Sequence, residues 1–159
     1  MPARVIEYDA RYRSDFGRLN YAWIEKLFAV EAPDREILDD PQRSIIDRGG
    51  QIFFVVSAER ALGTVALKAE GPDVYELTKM AVDDSARGLG YGQLLMDAAI
   101  DYARKQGAKK IVLSSHSSLG PALSMYRKVG FMDRPNTCDS RYSRCDTYMQ
   151  LDLTESHRQ

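Results

Sequence analysis

Arg87-Gly88-Leu89-Gly90-Tyr91-Gly92 places three glycines in six positions, between a predicted strand and the start of the strongest predicted helix in the chain. Glycines at such a junction let the backbone approach a ligand closely. They also leave several N–H groups pointing outward, where the helix dipole adds favourable potential for an anion. The combination suits a pyrophosphate. It also suits a plain turn that starts a helix, and the hexapeptide alone leaves both readings open. A dinucleotide-binding fingerprint needs G-x-G-x-x-G after the first strand of a βαβ unit and an acid ending the next strand. Here the spacing is Gly88-x-Gly90-x-Gly92 and the next strand ends in Ser114-Ser115-His116, so neither condition is met. A P-loop fails because no Gly-Lys-Ser/Thr follows.

The elements that must position this segment alternate between strand and helix types. Residues 1–7 read as an alternating strand. Tyr12 to Val30 carries Phe16, Leu19, Trp23, Leu27 and Phe28 at spacings of three and four, the pattern of an amphipathic helix. A second helix restarts at Asp34, is interrupted or reset at Pro41, and ends at Gly49-Gly50. This part reads as a lid or wall. Gln51 to Ser57 and Ala61 to Ala69 form a predicted hairpin of buried strands, followed by a central strand from Val74 to Val82. Tyr91 to Gln106, with Leu94, Leu95, Ala98, Ala99 and Tyr102, is the best predicted helix and is closed by Gly107. A strand at Lys109 to Ser115, a helix at Leu119 to Val129 stopped by Gly130, and a strand at Thr147 to Leu153 complete the pattern.

With those elements in place, three ordered blocks resemble the GNAT superfamily of N-acetyltransferases. Arg87-x-x-Gly90-x-Gly92 matches the family's acetyl-CoA signature, Arg/Gln-x-x-Gly-x-Gly/Ala. Glu76-Leu77-Thr78-Lys79-Met80-Ala81-Val82-Asp83 looks like its fourth strand, and Ala122 to Phe131 looks like its A-x-x-x-Tyr-x-x-x-Gly-Phe segment. The resemblance is specific over about residues 50 to 131. It implies an α/β fold with a mixed, mostly antiparallel sheet flanked by about four helices, and a single N-acetyltransferase domain over residues 1–159. It also implies acetyl-CoA as cosubstrate, held at Arg87, Gly88, Leu89, Gly90, Tyr91 and Gly92 by backbone amides. The edge at Met80, Ala81 and Val82 would pair with the pantetheine arm, and the fourth strand would splay from its neighbour at a bulge to admit the thioester.

Two side chains acquire catalytic expectations from the same resemblance. Tyr126 corresponds to the tyrosine that many members place beside the coenzyme A sulfur, where a phenol with pKa near ~10 can donate a proton or hydrogen bond to the departing thiolate. A core tyrosine beside Ala122 and Met125 is the structural alternative. Glu76 aligns with a strand glutamate that acts as general base in part of the family, removing the proton that keeps an amine of pKa near ~10 from attacking. Alternation would put Glu76, Thr78 and Met80 on one face. The alternative is a solvated charge near a strand start. The implied reaction is direct attack by a primary amine of a small molecule or peptide, with no covalent enzyme intermediate. A non-catalytic acyl-CoA-binding sensor or interaction domain is the competing class.

Evidence for the acceptor is thinner. Glu31, Asp34, Glu36, Asp39 and Asp40 crowd one segment opposed by Arg35, an arrangement that would attract a cationic amine or serve as a solvated helix face. The loop Ser114 to Ser118 departs from the asparagine the family often carries there, leaving His116 or a serine as substitute. Arg141 to Asp146 carries no assignable motif but is compatible with lining an acceptor pocket.

Composition excludes several other functions. The 159 residues are 44 % hydrophobic and 28 % charged, which suits a soluble globular chain, and no apolar run approaches the ~20 residues of a membrane span. No secretory signal is evident at the start, so a cytoplasmic location is expected. With 22 basic against 23 acidic side chains, dispersed along the chain, the footprint of a nucleic-acid binder is missing. Cys138 and Cys145 with two histidines are too few for a zinc site or a disulfide framework; no metal is expected, and both cysteines are read as free thiols. The C-terminal strand offers an edge for a homodimer.

Overall fold

The computed structural model describes residues 2–135, 141 and 143–154. Seven strands form one sheet in the order β1-β2-β3-β4-β5-β7-β6. They span Arg4–Glu7, Gln51–Ser57, Arg60–Gly71, Val74–Val82, Lys110–Ser115, Met132–Arg134 and Thr147–Asp152 in chain order. The pairing of β4 with β5 is parallel and every other one antiparallel. Four α-helices flank the sheet: α1 at Arg13–Leu27, α2 at Ala32–Leu38, α3 at Tyr91–Lys105 and α4 at Gly120–Val129. The expected mixed, mostly antiparallel α/β fold is therefore present.

The continuous apolar run of β2 follows from its position between β1 and β3 with helices on both faces. Phe53 and Val55 enter the core under α3 and α4, with Leu95, Ala99 and Leu123. Ile52, Phe54 and Val56 meet Phe16, Ile24 and Leu38 under α1 and α2. Two covered faces leave no polar alternation to read. In α3 the buried stripe is Leu95, Met96, Ala99, Ile100 and Ala103, whereas Leu94 is 40 % exposed, so the core face is rotated from the predicted one. β6 is a three-residue edge strand that the sequence pattern does not reveal.

After α2 the chain makes one π-type turn at Gln42–Ile46 and enters β2 through Gly50. A side chain at Gly50 would collide with the Leu67 carbonyl oxygen and with Ile45. The glycine is thus needed for close approach of backbone to backbone.

Candidate active site

Pairing between β4 and β5 stops at Glu76 opposite Val112. Beyond that point, among the described residues, no strand pairs with the β4 edge from Leu77 to Val82, and β4 and β5 part. β4 also carries a bulge: Thr64 pairs with Ala81 and Ala66 with Thr78, so Lys79 and Met80 together oppose Val65. Lys79 takes the left-handed conformation, φ 57°. The extra residue reverses the alternation. Met80 and Val82 pack toward the α3 core, while Lys79 reaches Asp34 at the start of α2. The expected row of Glu76, Thr78 and Met80 on one face is therefore corrected, because a bulge moves the third member to the other side.

A cleft of about 640 Å³ opens where the strands part. Both catalytic candidates, Glu76 and Tyr126, line it. So do Met80, Ala81 and Val82 of the free strand edge, and Arg87, Gly88, Gly90, Tyr91 and Gly92 of the glycine-rich turn. Leu89 is not on the wall and is 60 % exposed at the turn's outer side.

The turn has the geometry of an anion cradle. Gly90 is the residue before α3, with φ 82° and ψ 14°, and no side chain caps the helix. The first helical bond runs from Leu94 N to Gly90 O, so the N–H groups of residues 91–93 precede it and lie at the positive end of a 15-residue helix. Space around the Cα atoms of Gly88 and Gly90 is open. These residues fit the diphosphate of a coenzyme A thioester. Gly90→Val forces a β-branched residue to a positive φ and puts a side chain into the cradle. It is expected to weaken acetyl-CoA binding by tenfold or more in calorimetry; unchanged affinity would count against the cradle.

Tyr126 of α4 packs its ring against Phe131 at 5.8 Å, and burial pushes its phenol up to about 12. Glu76 is half-buried on β4. Burial, followed by a hydrogen bond and charge repulsion from Glu70, raises its carboxyl to about 7. Lys68, opposite Glu76 in the ladder, offsets part of this and binds Glu70 at 3.2 Å. A carboxylate poised near neutral pH beside an opened strand edge is placed to accept a proton there.

Asp34 is completely buried. Lys79 Nζ lies 2.6 Å from its Oδ1, and Arg144 reaches both its oxygens at 2.6 and 3.0 Å. Arg144 also meets Glu31 at 3.3 Å. Burial alone would raise the Asp34 carboxyl, but the hydrogen bonds from Arg144 and Lys79 outweigh it and hold it at about 2. For Lys79, burial pulls the ammonium below its usual value against the attraction of Asp34. The remaining acids of this segment also have partners. Glu36 pairs with Arg141 at 3.1 Å, Asp39 accepts from the Tyr21 hydroxyl, and Asp40 lies 3.8 Å from Arg43. Asp34 and Glu31 are tied into the wall, while the ion pairs of Glu36 and Asp40 are exposed, as on a solvated helix face.

Because the Asp34 carboxyl lies below its unfolded value near ~3.9, its stabilisation is present above that pH and lost as pH falls toward about 2. Asp34→Asn leaves Lys79 and Arg144 facing a neutral amide and is expected to cost about 3 kcal/mol at neutral pH. Thermal melts should show the wild type losing this margin between about pH 4 and 2 on that account, with the variant flatter across the same range.

Several residues of the site escape sequence reasoning. Trp23, Leu27 and Phe28 at the end of α1 line the cleft, although their spacing assigned them to a helix core. Helix α1 stops at Leu27, and extended backbone at Phe28 turns that ring to the cleft. Phe28 stacks edge-on with Trp23 at 6.2 Å and with His116 at 5.5 Å, and Arg144 lies 5.6 Å from its ring centre. His116 is held by its loop: Nδ1 lies 2.7 Å from Ser118 Oγ and accepts the Ser118 N–H at 3.0 Å. Its Nε2 lies 3.7 Å from Asp146. Asp146 in turn accepts from Ser117 and Thr147, tying this loop to the start of β7.

Arg144 and Cys145 also line the cleft. Cys145 is disulfide-bonded, which corrects its reading as a free thiol; a count of two cysteines argues against a framework of bridges but not against a single one. Cys138 lies outside the described residues. Among the described residues there is no group of three or more His, Cys, Asp or Glu placed to hold a metal, and no helix is long and apolar enough to cross a membrane.

Comparison with known proteins agrees with this geometry. Residues 14–131 match the Acetyltransferase (GNAT) family. The chain is 31 % identical over 104 residues to an uncharacterized N-acetyltransferase of Bacillus subtilis, a match covering 64 % of this chain and 67 % of that one. A mycothiol acetyltransferase from Corynebacterium glutamicum is 26 % identical over 84 residues, a match covering 53 % of this chain and 29 % of that one. A GNAT-family acetyltransferase crystal structure from Staphylococcus aureus superposes with a TM-score of 0.86 at 20 % identity, covering 96 % of this chain and 99 % of that one. The PaiA N-acetyltransferase of Thermoplasma acidophilum, solved with coenzyme A, gives 0.75 at 16 % identity, covering 96 % and 100 %. The fold is shared with both.

Proposed function

Because the chain belongs to the GNAT family of acetyltransferases, we propose that it transfers an acetyl group from acetyl-CoA to a primary amine by direct attack. The observation that carries this reading is one cleft in which an anion cradle, a strand edge left open, a carboxylate raised to about 7 and a half-buried tyrosine meet. The backbone amides of residues 91–93 take the diphosphate, and the β4 edge from Met80 to Val82 aligns the pantetheine arm as an added strand would.

Glu76 takes the proton from the acceptor ammonium, directly or through a water. The freed lone pair attacks the thioester carbonyl carbon, and N–H groups of the unpaired β4 edge receive the charge that develops on oxygen. As the C–S bond breaks, the attacking nitrogen gives up its extra proton to the departing sulfur or to solvent, and the leaving thiolate is stabilised by a hydrogen bond from Tyr126. The products are an amide and free coenzyme A. The single-domain arrangement and the cytoplasmic setting remain part of this proposal, whereas the C-terminal strand β7 lies between β5 and β6 and does not offer the edge expected there for a homodimer.

Calorimetry and turnover on the same preparation test it. Acetyl-CoA should bind, and addition of a suitable amine should release free thiol at a rate that saturates with the amine. Binding without release across amines, amino acids, polyamines and lysine peptides would instead favour a non-catalytic acyl-CoA sensor.

A further inference from the structure

The acceptor side of the cleft is walled by Trp23, Leu27 and Phe28, with His116 and Arg144 packed around the Phe28 ring. Leu27 is 55 % exposed there, an apolar side chain left to solvent at the mouth of a binding site. The charge of the wall points the same way. Glu76 is the only carboxylate among the described residues lining the cleft, beside the cations Lys79, Arg87 and Arg144. Asp34 and Glu31, just behind the wall, are engaged by Lys79 and Arg144.

Building on the acetyl-transfer reading, we infer that the acceptor is a primary amine carried on an apolar, aromatic body with no second cation, its ring seated against Trp23, Leu27 and Phe28 and its amine at Glu76. An aromatic body gains the burial of its apolar area and edge-on contact with the Trp23 and Phe28 rings. A polyamine or lysine-rich peptide would bring a second cation to a cleft where, among the described residues, Glu76 already holds the reacting amine and Asp34 and Glu31 are engaged by Lys79 and Arg144.

Trp23 is the only tryptophan of the chain, so intrinsic fluorescence reads occupancy of this wall without turnover. With coenzyme A saturating, 2-phenylethylamine should change the Trp23 emission in a saturable way, and spermidine should not. In turnover, kcat/KM for 2-phenylethylamine should exceed that for spermidine and for a lysine peptide at least tenfold. Leu27→Glu, at an exposed helix end, should reverse the order by lowering the first value and raising the second; the ratio within one preparation cancels any loss of folded protein. Spermidine or the lysine peptide preferred by the wild type, or a Trp23 signal indifferent to 2-phenylethylamine, would overturn the inference. If no amine is turned over at all, the acetyl-transfer reading fails, while the fluorescence titration still decides what the wall binds.

Discussion

Tyr126→Phe is expected to lower kcat by about 10–100-fold while leaving the affinity for acetyl-CoA within about twofold, the loss of one hydrogen bond to a charged group. The size follows from the phenol's position. Burial places its pKa at about 12, whereas a thiol ordinarily ionises near ~8.5. Complete proton transfer from Tyr126 to the departing thiolate would therefore run uphill, so the tyrosine serves as a hydrogen-bond donor that remains a phenol. Its donor strength is then independent of pH in the working range. The variant should keep the shape of the wild-type pH profile and lose only height. A Tyr126→Phe enzyme with unchanged kcat would assign the side chain to the packing it makes with Phe131.

Glu76→Gln should have the other large effect, on the order of 10²-fold in kcat/KM at neutral pH, the usual contribution of a positioned general base. The base acts only when ionised. With its carboxyl at about 7, the wild-type kcat/KM should rise with pH through that value. The Glu76→Gln variant should lack this limb while retaining the rise due to the amine's own ionisation. Glu70 gives an independent handle, because it raises Glu76 by hydrogen bond and charge from a solvent-accessible position. Glu70→Gln should move the limb to lower pH without abolishing activity. A limb that stays in place in Glu76→Gln, or that ignores Glu70→Gln, would exclude Glu76 as the base.

The parts of this site legible in the sequence are those specified by local chemistry. Glycines at 88, 90 and 92 must sit where backbone is bare and φ is positive at two of them, and that demand is visible without a fold. Glu76 and Tyr126 were legible through the blocks around them, and the structure brings both to one cleft. The acceptor wall was not, because Trp23 and Phe28 obey the helical spacing of a core face and only the end of α1 at Leu27 turns Phe28 aside. A bulge on β4 was expected from the resemblance, but its place at Lys79 was hidden: β4 reads as regular alternation, and the buried partner of Lys79, Asp34, lies 45 residues away in sequence. The pairing of the acidic segment was hidden for the same reason. Its opposing charges, Lys79, Arg141 and Arg144, come from distant parts of the chain, which composition in a window cannot register.

Direct passage of acetyl from the thioester to an amine is tested most directly by following released thiol, amide product and intact protein mass in parallel in one reaction. One amide should form for each thiol released, with the protein mass unchanged at every time point. Thiol released without amide, or acetyl retained on the chain before the amine is added, would contradict direct transfer.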